Sequence, residues 1–476
     1  MSTVTNWFKT IQCAEHSVEE PESEEELREI LRNSTRFSSP IRPVGSLHSM
    51  TECIAARAPG ERRWGTVVSL RKLAEQVLSL DLQQSPRGQS VGTVTVPAGR
   101  TFISVARELK EKDLQLRVNT ELGPLTMGAA ACGATKDSSF PDEPGQVCHD
   151  VVGMRLMKPD GEIQEFKEGD ADFDALRCSY GLFGVVTHVT FRVYPHQYIS
   201  IRHEKLEVEE FEERRQRWEQ DGHAVFLYMF PFAKHQRIVA ELRSKTASSE
   251  GREKSVRLEA RNFFWGEGLH RASGVIRGLE IEALKRLAGE VQQKFVGEFL
   301  RQIDLDAVSP VSQIVDFEKL ARDSGRIGLE PAPKFTFSMW AFPTRPTGGR
   351  PFAQILADYF AFCKEAEGFS PLLPQVSYHI GKDTSSVLSY SHQSDVWTLD
   401  PIAAEGEPGW EKFAKAFNDR CSQWGGTPLF NQTPFLERRH VVKAFGDRLA
   451  TFEATRRRFD PGGRMLNEYF AKLLTG

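Results

Sequence analysis

Apolar and polar positions alternate with two different periods along this 476-residue chain. The stretch SVEEPESEEELREILRNS repeats at helical spacing, with Ser23 as N-cap and Glu26, three residues on, as its capping-box partner. TFISVARELKEKDLQL is a second amphipathic helix, with Ile103, Ala106, Leu109 and Leu114 on its apolar side. Between and after them the period falls to two. PIRPVGSLHS reads as a short strand and a turn, and GTVVSLRKL and VGTVTVPAGRT as strands ending in Gly/Pro punctuation. LTMGAAACGATKDSS reads as a small-residue loop. DVVGMRLMKPDGEIQEF is a hairpin turning at Pro159, Asp160 and Gly161. LFGVVTHVTFRVYP is a long strand stopped by Pro195. From about residue 197 the character changes. HAVFLYMFPFAKHQRIVAEL predicts two paired strands, GLEIEALKRLAGEVQQKFVGEFLRQ a long helix, and KFTFSMWAFPTRP and PLLPQVSYHIGKDTSSVLSYS further strands. This is a second α+β unit on an antiparallel sheet. The last stretch is helical and broken by DPGG.

Composition narrows the class. Hydrophobic residues are 40%, charged residues 26% and the net charge −4, the profile of an ordinary globular protein rather than a nucleic-acid binder. RRRF, Arg456 to Phe459, is the one dense basic run and reads as a solvated helix end. No apolar run reaches the length of a signal peptide core or a membrane span. The seven cysteines are scattered, odd in number and without a CxxC pair. That predicts neither a disulfide framework nor a metal site, and points to a reducing, cytoplasmic setting.

The candidate chemistry sits in two places. RPVGSLHSMTE sets one of only 12 histidines, His48, at a tight turn after an extended segment. Further on, Gly128, Ala129, Ala130, Ala131, Gly133 and Ala134 keep side-chain bulk to a minimum, so a ligand can approach the backbone closely. No GKS or GKT follows, and there is no GxGxxG after a strand, so neither a P-loop nor a Rossmann dinucleotide site is supported. Taken alone, a packed turn and a ligand cradle fit this loop equally well.

The order of PVGSLHS, VTVPAGRT, the small-residue loop, DVVGMRLMKPDGE and SYGLFGVVTHVTFRV resembles the vanillyl-alcohol-oxidase-type FAD-binding oxidoreductases. Its nearest likeness is the aldonolactone and alditol oxidase branch. The resemblance covers roughly residues 15 to 195 and the C-terminal FDPGGRMLNEY. It implies an α+β fold: a two-subdomain PCMH-type FAD-binding domain (1–196), an antiparallel-sheet substrate or cap domain (197–435), and a segment (436–476) returning to the first. The branch reads Arg-x-x-Gly-x-x-His-Ser at the turn, here Arg42, Gly45, His48 and Ser49. By resemblance, His48 bonds covalently to the flavin methyl, which raises the flavin potential. A cysteine for a second bond is missing. The resemblance also implies that Val44, Gly45, Ser46, Leu47, His48 and Ser49 cradle the pyrophosphate. Pro97 and Gly99 run past the flavin, and Gly128, Gly133, Ala134 and Thr135 pack against it. Lys136 stands where the family usually has histidine. Asp150 lies near the adenosine side, Gly184, Val185 and Val186 meet the adenine or ribose, and Asn467 belongs to the returning segment.

The substrate side rests on SYHIGKD. With period two, Tyr378, Ile380 and Lys382 face one way and His379 the other. Tyr378, His379 and Lys382 are the catalytic candidates, for the base and for a cation near the flavin. FTFSMWAF similarly puts Thr336, Ser338 and Trp340 opposite Phe335, Phe337 and Met339. The branch carries His-Trp-x-Lys near its end, where this chain has Leu429, Phe430, Asn431 and Gln432. The lost lysine argues against a sugar lactone. Asn431 and Gln432 suit neutral polar groups, Trp424 and Phe430 an apolar wall. The expected reaction is oxidation of a CH–OH or CH–NH group of a small molecule, large or partly apolar, with molecular oxygen or another electron acceptor. The rivals are a dehydrogenase on the same fold and a flavin-binding accessory protein without turnover.

Overall fold

The computed structural model describes residues 3–15, 17–73, 78–84, 90–234, 237–247, 256–279, 282–326, 334–345 and 349–475. The turn inside HAVFLYMFPFAKHQRIVAEL, at 235–236, and residues 280–281 of the long helical stretch lie outside them.

The first helix, Glu24–Arg32, forms as its pattern requires. Ser23 accepts from Glu26 N, and Leu27, Ile30 and Leu31 are buried on one side. Glu26 reaches back one residue further than a capping box does, accepting from Glu22 N at 2.8 Å. Beside it lies a three-stranded parallel sheet in the order Val18–Glu19, Thr66–Ser69, Ile41–Val44. The turn bearing His48 leaves the end of Ile41–Val44.

A six-stranded antiparallel sheet follows. Val185–Pro195 sits inside it, between Val151–Met157 and Ser90–Pro97. MGAAAC is a helix, not a loop: Met127–Cys132 is capped by Thr126, whose Oγ1 accepts from Ala129 N. Alanine is the best helix former, so a run of small residues behind a threonine cap coils.

The strands from 199 onward build one eight-stranded antiparallel sheet. Its order is Leu305–Val308, Ile199–Leu206, Ile238–Lys245, Ala224–Met229, Gln375–Ile380, Val396–Leu399, Trp340–Pro343, Thr427–Pro428. FTFSMWAF breaks into two strands: Phe335–Phe337 leaves the sheet to pair with Ile402–Ala404, while Trp340–Pro343 stays in it. The helical run Val256–Arg277 contains a π turn at Phe264–Gly268. The helices Arg438–Phe445, Asp447–Phe459 and Glu468–Leu474 come back onto the N-terminal core, with Phe445, Phe452 and Phe470 buried in it.

Candidate active site between the two sheets

A cavity of about 300 Å³ lies between the N-terminal unit and the eight-stranded sheet. On the first side its wall is the turn Arg42–Ser49, then Ala98–Gly99, the helix Met127–Cys132 and the segment Gly133–Lys136, with Gly184 and Val186 further along. Register explains the opposite wall. Phe226 pairs with Tyr378 and Tyr228 with Val376 on adjacent strands, so all four share one face, and all four line the cavity. Phe335 and Phe337 line it from their separate hairpin, while Thr336 and Ser338 are buried on the opposite side. The π turn brings Trp265 into the wall, and the helix after it Leu269 and His270.

The turn is rigidly held. Arg42, at 1% exposure, donates to the carbonyls of Tyr180, Gly181 and Met465, tying three segments together. Burial lowers its guanidinium to about 10. Leu47 sits at φ +59, a left-handed residue that turns successive N–H groups to one side. Trp7 N donates to Leu47 O and Met50 N to Asn431 O. The hydroxyls of Ser46 and Ser49 are used on the carbonyls of Pro124 and Asn431, so they brace the turn rather than point freely into the cavity.

The glycines of this wall are required by packing of chain on chain. A Cβ on Gly45 would stand 2.2 Å from Thr126 Oγ1, one on Gly99 2.2 Å from Leu70 O, and one on Gly128 2.8 Å from Ala98 Cβ. They let three loops close around one space.

His48 lies in that space at 9% exposure, against the rings of Trp7 (5.1 Å) and Phe8 (6.0 Å). Both its ring nitrogens are buried without a hydrogen-bond partner among the described residues. Burial, with Lys334 and Arg71 nearby, lowers the imidazole to about 4, so the ring is neutral at pH 7. Asn431 Oδ1, Gln432 Oε1 and Asp400 Oδ1 are likewise buried and unpartnered in the wall. Buried polar atoms are normally matched, so these call for a partner that the chain itself does not supply.

The residues expected from sequence separate into three groups. Val44, Gly45, Ser46, Leu47, His48, Ser49, Gly99, Gly128, Gly133, Thr135, Gly184, Val186 and Tyr378 are brought together in the cavity wall. Pro97, Ala134 and Val185 are buried one residue behind it, with Ala98, Thr135 and Val186 in the wall instead. Four lie away. Asp150 bonds Arg117 at 3.1 Å and Tyr194 at 2.7 Å. Asn467 caps the last helix and donates to the carbonyls of Glu52, Cys53 and Ala55, bracing the turn from behind. His379 packs on Trp397 on the opposite face of its strand from Tyr378. Lys382 is exposed beyond the strand end. The alternation within SYHIGKD was readable; which face meets the cavity was not.

Several wall residues carry no local signal. Lys136 Nζ is 2.9 Å from Asp400 Oδ2, with side chains 6% and 3% exposed, and 4.1 Å from the Tyr378 ring centre. Glu121 is 3.5 Å from Arg261, and burial raises its carboxyl above the usual range. Tyr228 donates to Glu241 at 3.0 Å. These residues come from segments far apart in sequence.

Residues 16–167 match a family model described as an FAD binding domain. Three relatives cover the same region. L-gulono-1,4-lactone dehydrogenase of Mycobacterium tuberculosis is 27% identical over 191 residues, 40% of this chain and 40% of the relative. L-gulonolactone oxidase of Mus musculus is 27% identical over 192 residues, again 40% of each. D-arabinono-1,4-lactone oxidase of Debaryomyces hansenii is 26% identical over 238 residues, 48% of this chain and 40% of the relative. The N-terminal unit thus matches an FAD-binding domain over residues 16–167. The chain aligns with about 40% of the length of these curated relatives. The fold extends further. A cholesterol oxidase from B. sterolicum superposes with a TM-score of 0.73 at 15% identity, over 99% of this chain and 96% of that one. A solvent-stable cholesterol oxidase gives 0.74 at 15% identity, over 99% and 97%. The likeness takes in the eight-stranded sheet as well as the N-terminal unit, and it is a likeness of fold.

Proposed function

We propose that this protein is an FAD-dependent oxidoreductase that oxidises a CH–OH group, with molecular oxygen as acceptor. The observation that carries the reading is His48: a buried, neutral imidazole with both nitrogens free, in the wall of a cavity that runs from the FAD-binding domain under an aromatic roof. Bound there, FAD supplies a two-electron acceptor for hydride. The turn Val44–Ser49 and the segment Gly128–Thr135 hold it, and His48 bonds its ring methyl. The amides of Asn431 and Gln432 meet polar edges in place of the branch's lysine.

Phe226, Trp265, Phe335, Phe337 and Leu373 make the roof apolar. That supports a large, mostly apolar alcohol over a sugar lactone. Tyr228 receives the substrate hydroxyl, because its own O–H is already committed to Glu241 and its oxygen is left to accept. Arg261 and Glu121 close the polar end. Tyr378, pinned under Lys136, packs against the substrate's apolar part rather than taking the proton. The seven cysteines are buried and unpaired, which supports a reducing, cytoplasmic setting; no helix among the described residues is long and apolar enough to cross a membrane.

Acid precipitation tests the linkage. The pellet of the purified protein is expected to stay yellow, and that of His48→Ala to be colourless with yellow in the supernatant. A colourless protein that takes up no FAD ends the reading. Peroxide formed during turnover distinguishes oxygen from another acceptor.

A further inference from the structure

Behind Tyr228, a row of buried charged side chains leads away from the cavity wall. Register sets Tyr378, Phe226, Glu241 and His203 opposite one another across four neighbouring strands, so they share the cavity-side face of the cap sheet. Tyr228, two residues from Phe226, donates to Glu241 Oε2 at 3.0 Å. His203 Nε2 stands 3.5 Å from that same oxygen. On its other side, His203 Nδ1 is 3.1 Å from Asp304 Oδ1. The side chains of Glu241 and His203 are 0% exposed, and that of Asp304 is 36% exposed. Exchangeable groups thus follow one another from the cavity wall to the surface; the longest step is the 3.5 Å contact between Glu241 Oε2 and His203 Nε2, which makes no hydrogen bond in this arrangement. Burying such charges costs several kcal/mol per ion, and an apolar row would be at least as stable.

We propose that Tyr228, Glu241, His203 and Asp304 form a proton path between the cavity and solvent, which takes the substrate's hydroxyl proton out and carries the proton exchanged on reoxidation, inward when oxygen is the acceptor and outward when the acceptor takes electrons alone. This rests on the oxidoreductase reading above. Oxidising one CH–OH sends a hydride to the flavin and frees the hydroxyl proton. That proton moves to the Tyr228 oxygen as the phenolic proton moves to Glu241 and on to His203 Nε2. The imidazolium then lies between two carboxylates, and its Nδ1–H passes to Asp304 and to water. On return a proton enters at Nδ1 and the Nε2–H moves inward, so the ring need not turn.

The charges around the path fit this division of labour. Arg243 Nε at 2.7 Å and Arg261 Nη2 at 3.7 Å keep Glu241 ionised, so a proton crosses it without resting there. Asp137 backs Arg243 at 2.8 Å, and Glu121 backs Arg261. Burial pulls His203 down, but its bonds to Asp304 and Glu241 outweigh that and leave it above the ordinary imidazole value. His203 is the store, and Asp304 the exchange point with solvent.

The test uses the FAD-loaded protein, photoreduced without oxygen and then mixed with ferricyanide. Each reduced flavin gives up two electrons and one proton, which phenol red follows in weak buffer. In the wild type the indicator is expected to change in step with the returning flavin colour. In His203→Gln and in the surface variant Asp304→Asn, proton release slows about tenfold or more, and added imidazole restores it. Release at the wild-type rate in both variants overturns the path. So does slow release that imidazole leaves unchanged, which marks a structural effect. A chain that binds no FAD overturns the functional reading itself, and the path falls with it.

Discussion

At the scale of single residues, the site depends on histidines kept neutral by burial. His270 stacks on Phe335 at 4.9 Å with Nδ1 unpartnered, and burial lowers it to about 4. An unfolded histidine takes a proton near pH 6.5. Between those values the unfolded chain binds a proton that the fold refuses. The stability tied to His270 is therefore complete above about pH 6.5 and is lost as pH falls towards 4, on the order of 3 kcal/mol in all. Urea melts at pH 7 and pH 5 are expected to show His270→Phe losing less stability on acidification than the wild type; equal losses would rule this out. His203 carries the opposite sign, because its value is raised: its contribution is present at low pH and fades as pH rises through that value. His48 was legible because its turn has a fixed spacing from Arg42 to Ser49. His270 and Glu241 were not, since a lone charged or aromatic residue inside a helix or strand looks the same whether it meets a cavity or a core.

At the scale of elements, the small-residue segments show what spacing alone conveys. The spacing of GAAACG predicts a loop that fits a packed turn and a ligand cradle equally well, yet Met127–Cys132 is a helix whose Gly128 is needed against Ala98. Gly45 faces Thr126 Oγ1, and Gly99 faces the backbone at Leu70 O. This gives a discriminating pair. Gly45→Ala is expected to weaken FAD retention tenfold or more, about 1.4 kcal/mol. Gly45→Ala with Thr126→Ala recovers much of that, because the clash is with a removable side chain. Gly99→Ala has no such remedy, its neighbour being backbone. Equilibrium FAD titration of the variants checks both; a failed rescue places the demand for glycine in the ligand instead. The alternation in FTFSMWAF predicts one strand, but it splits into Phe335–Phe337 and Trp340–Pro343. The break at Ser338 and Met339 turns Phe335 and Phe337 to the cavity and leaves Trp340 to bond Asn418.

At the scale of the whole molecule, one segment locks the N-terminal unit to the eight-stranded sheet. Lys136 pairs with Asp400, Ser138 Oγ donates to Val225 O, and Ser139 Oγ accepts from Gly381 N. Burial and the loss of a partner act together here. Lys136→Ala leaves Asp400 charged and alone, and is expected to cost about 3–5 kcal/mol. Adding Asp400→Ala returns part of it. Denaturant melts of the two singles and the double give the coupling energy. A coupling near zero means the pair does not hold the two parts together.

By itself the sequence determined the order and kind of most elements, the antiparallel character of the second half and the turn around His48. These follow from the period of apolar positions, from caps and from punctuation, all of which act over a few residues. Only the tertiary structure decided the cavity. Its aromatic roof and the row from Tyr228 to His203 are set by strand register, in one pairing across more than a hundred residues of sequence, and the Lys136–Asp400 lock by contact between segments more than two hundred residues apart. Tyr378 and His379 are adjacent in the chain and face opposite ways, and nothing local states which side the FAD-binding domain will cover.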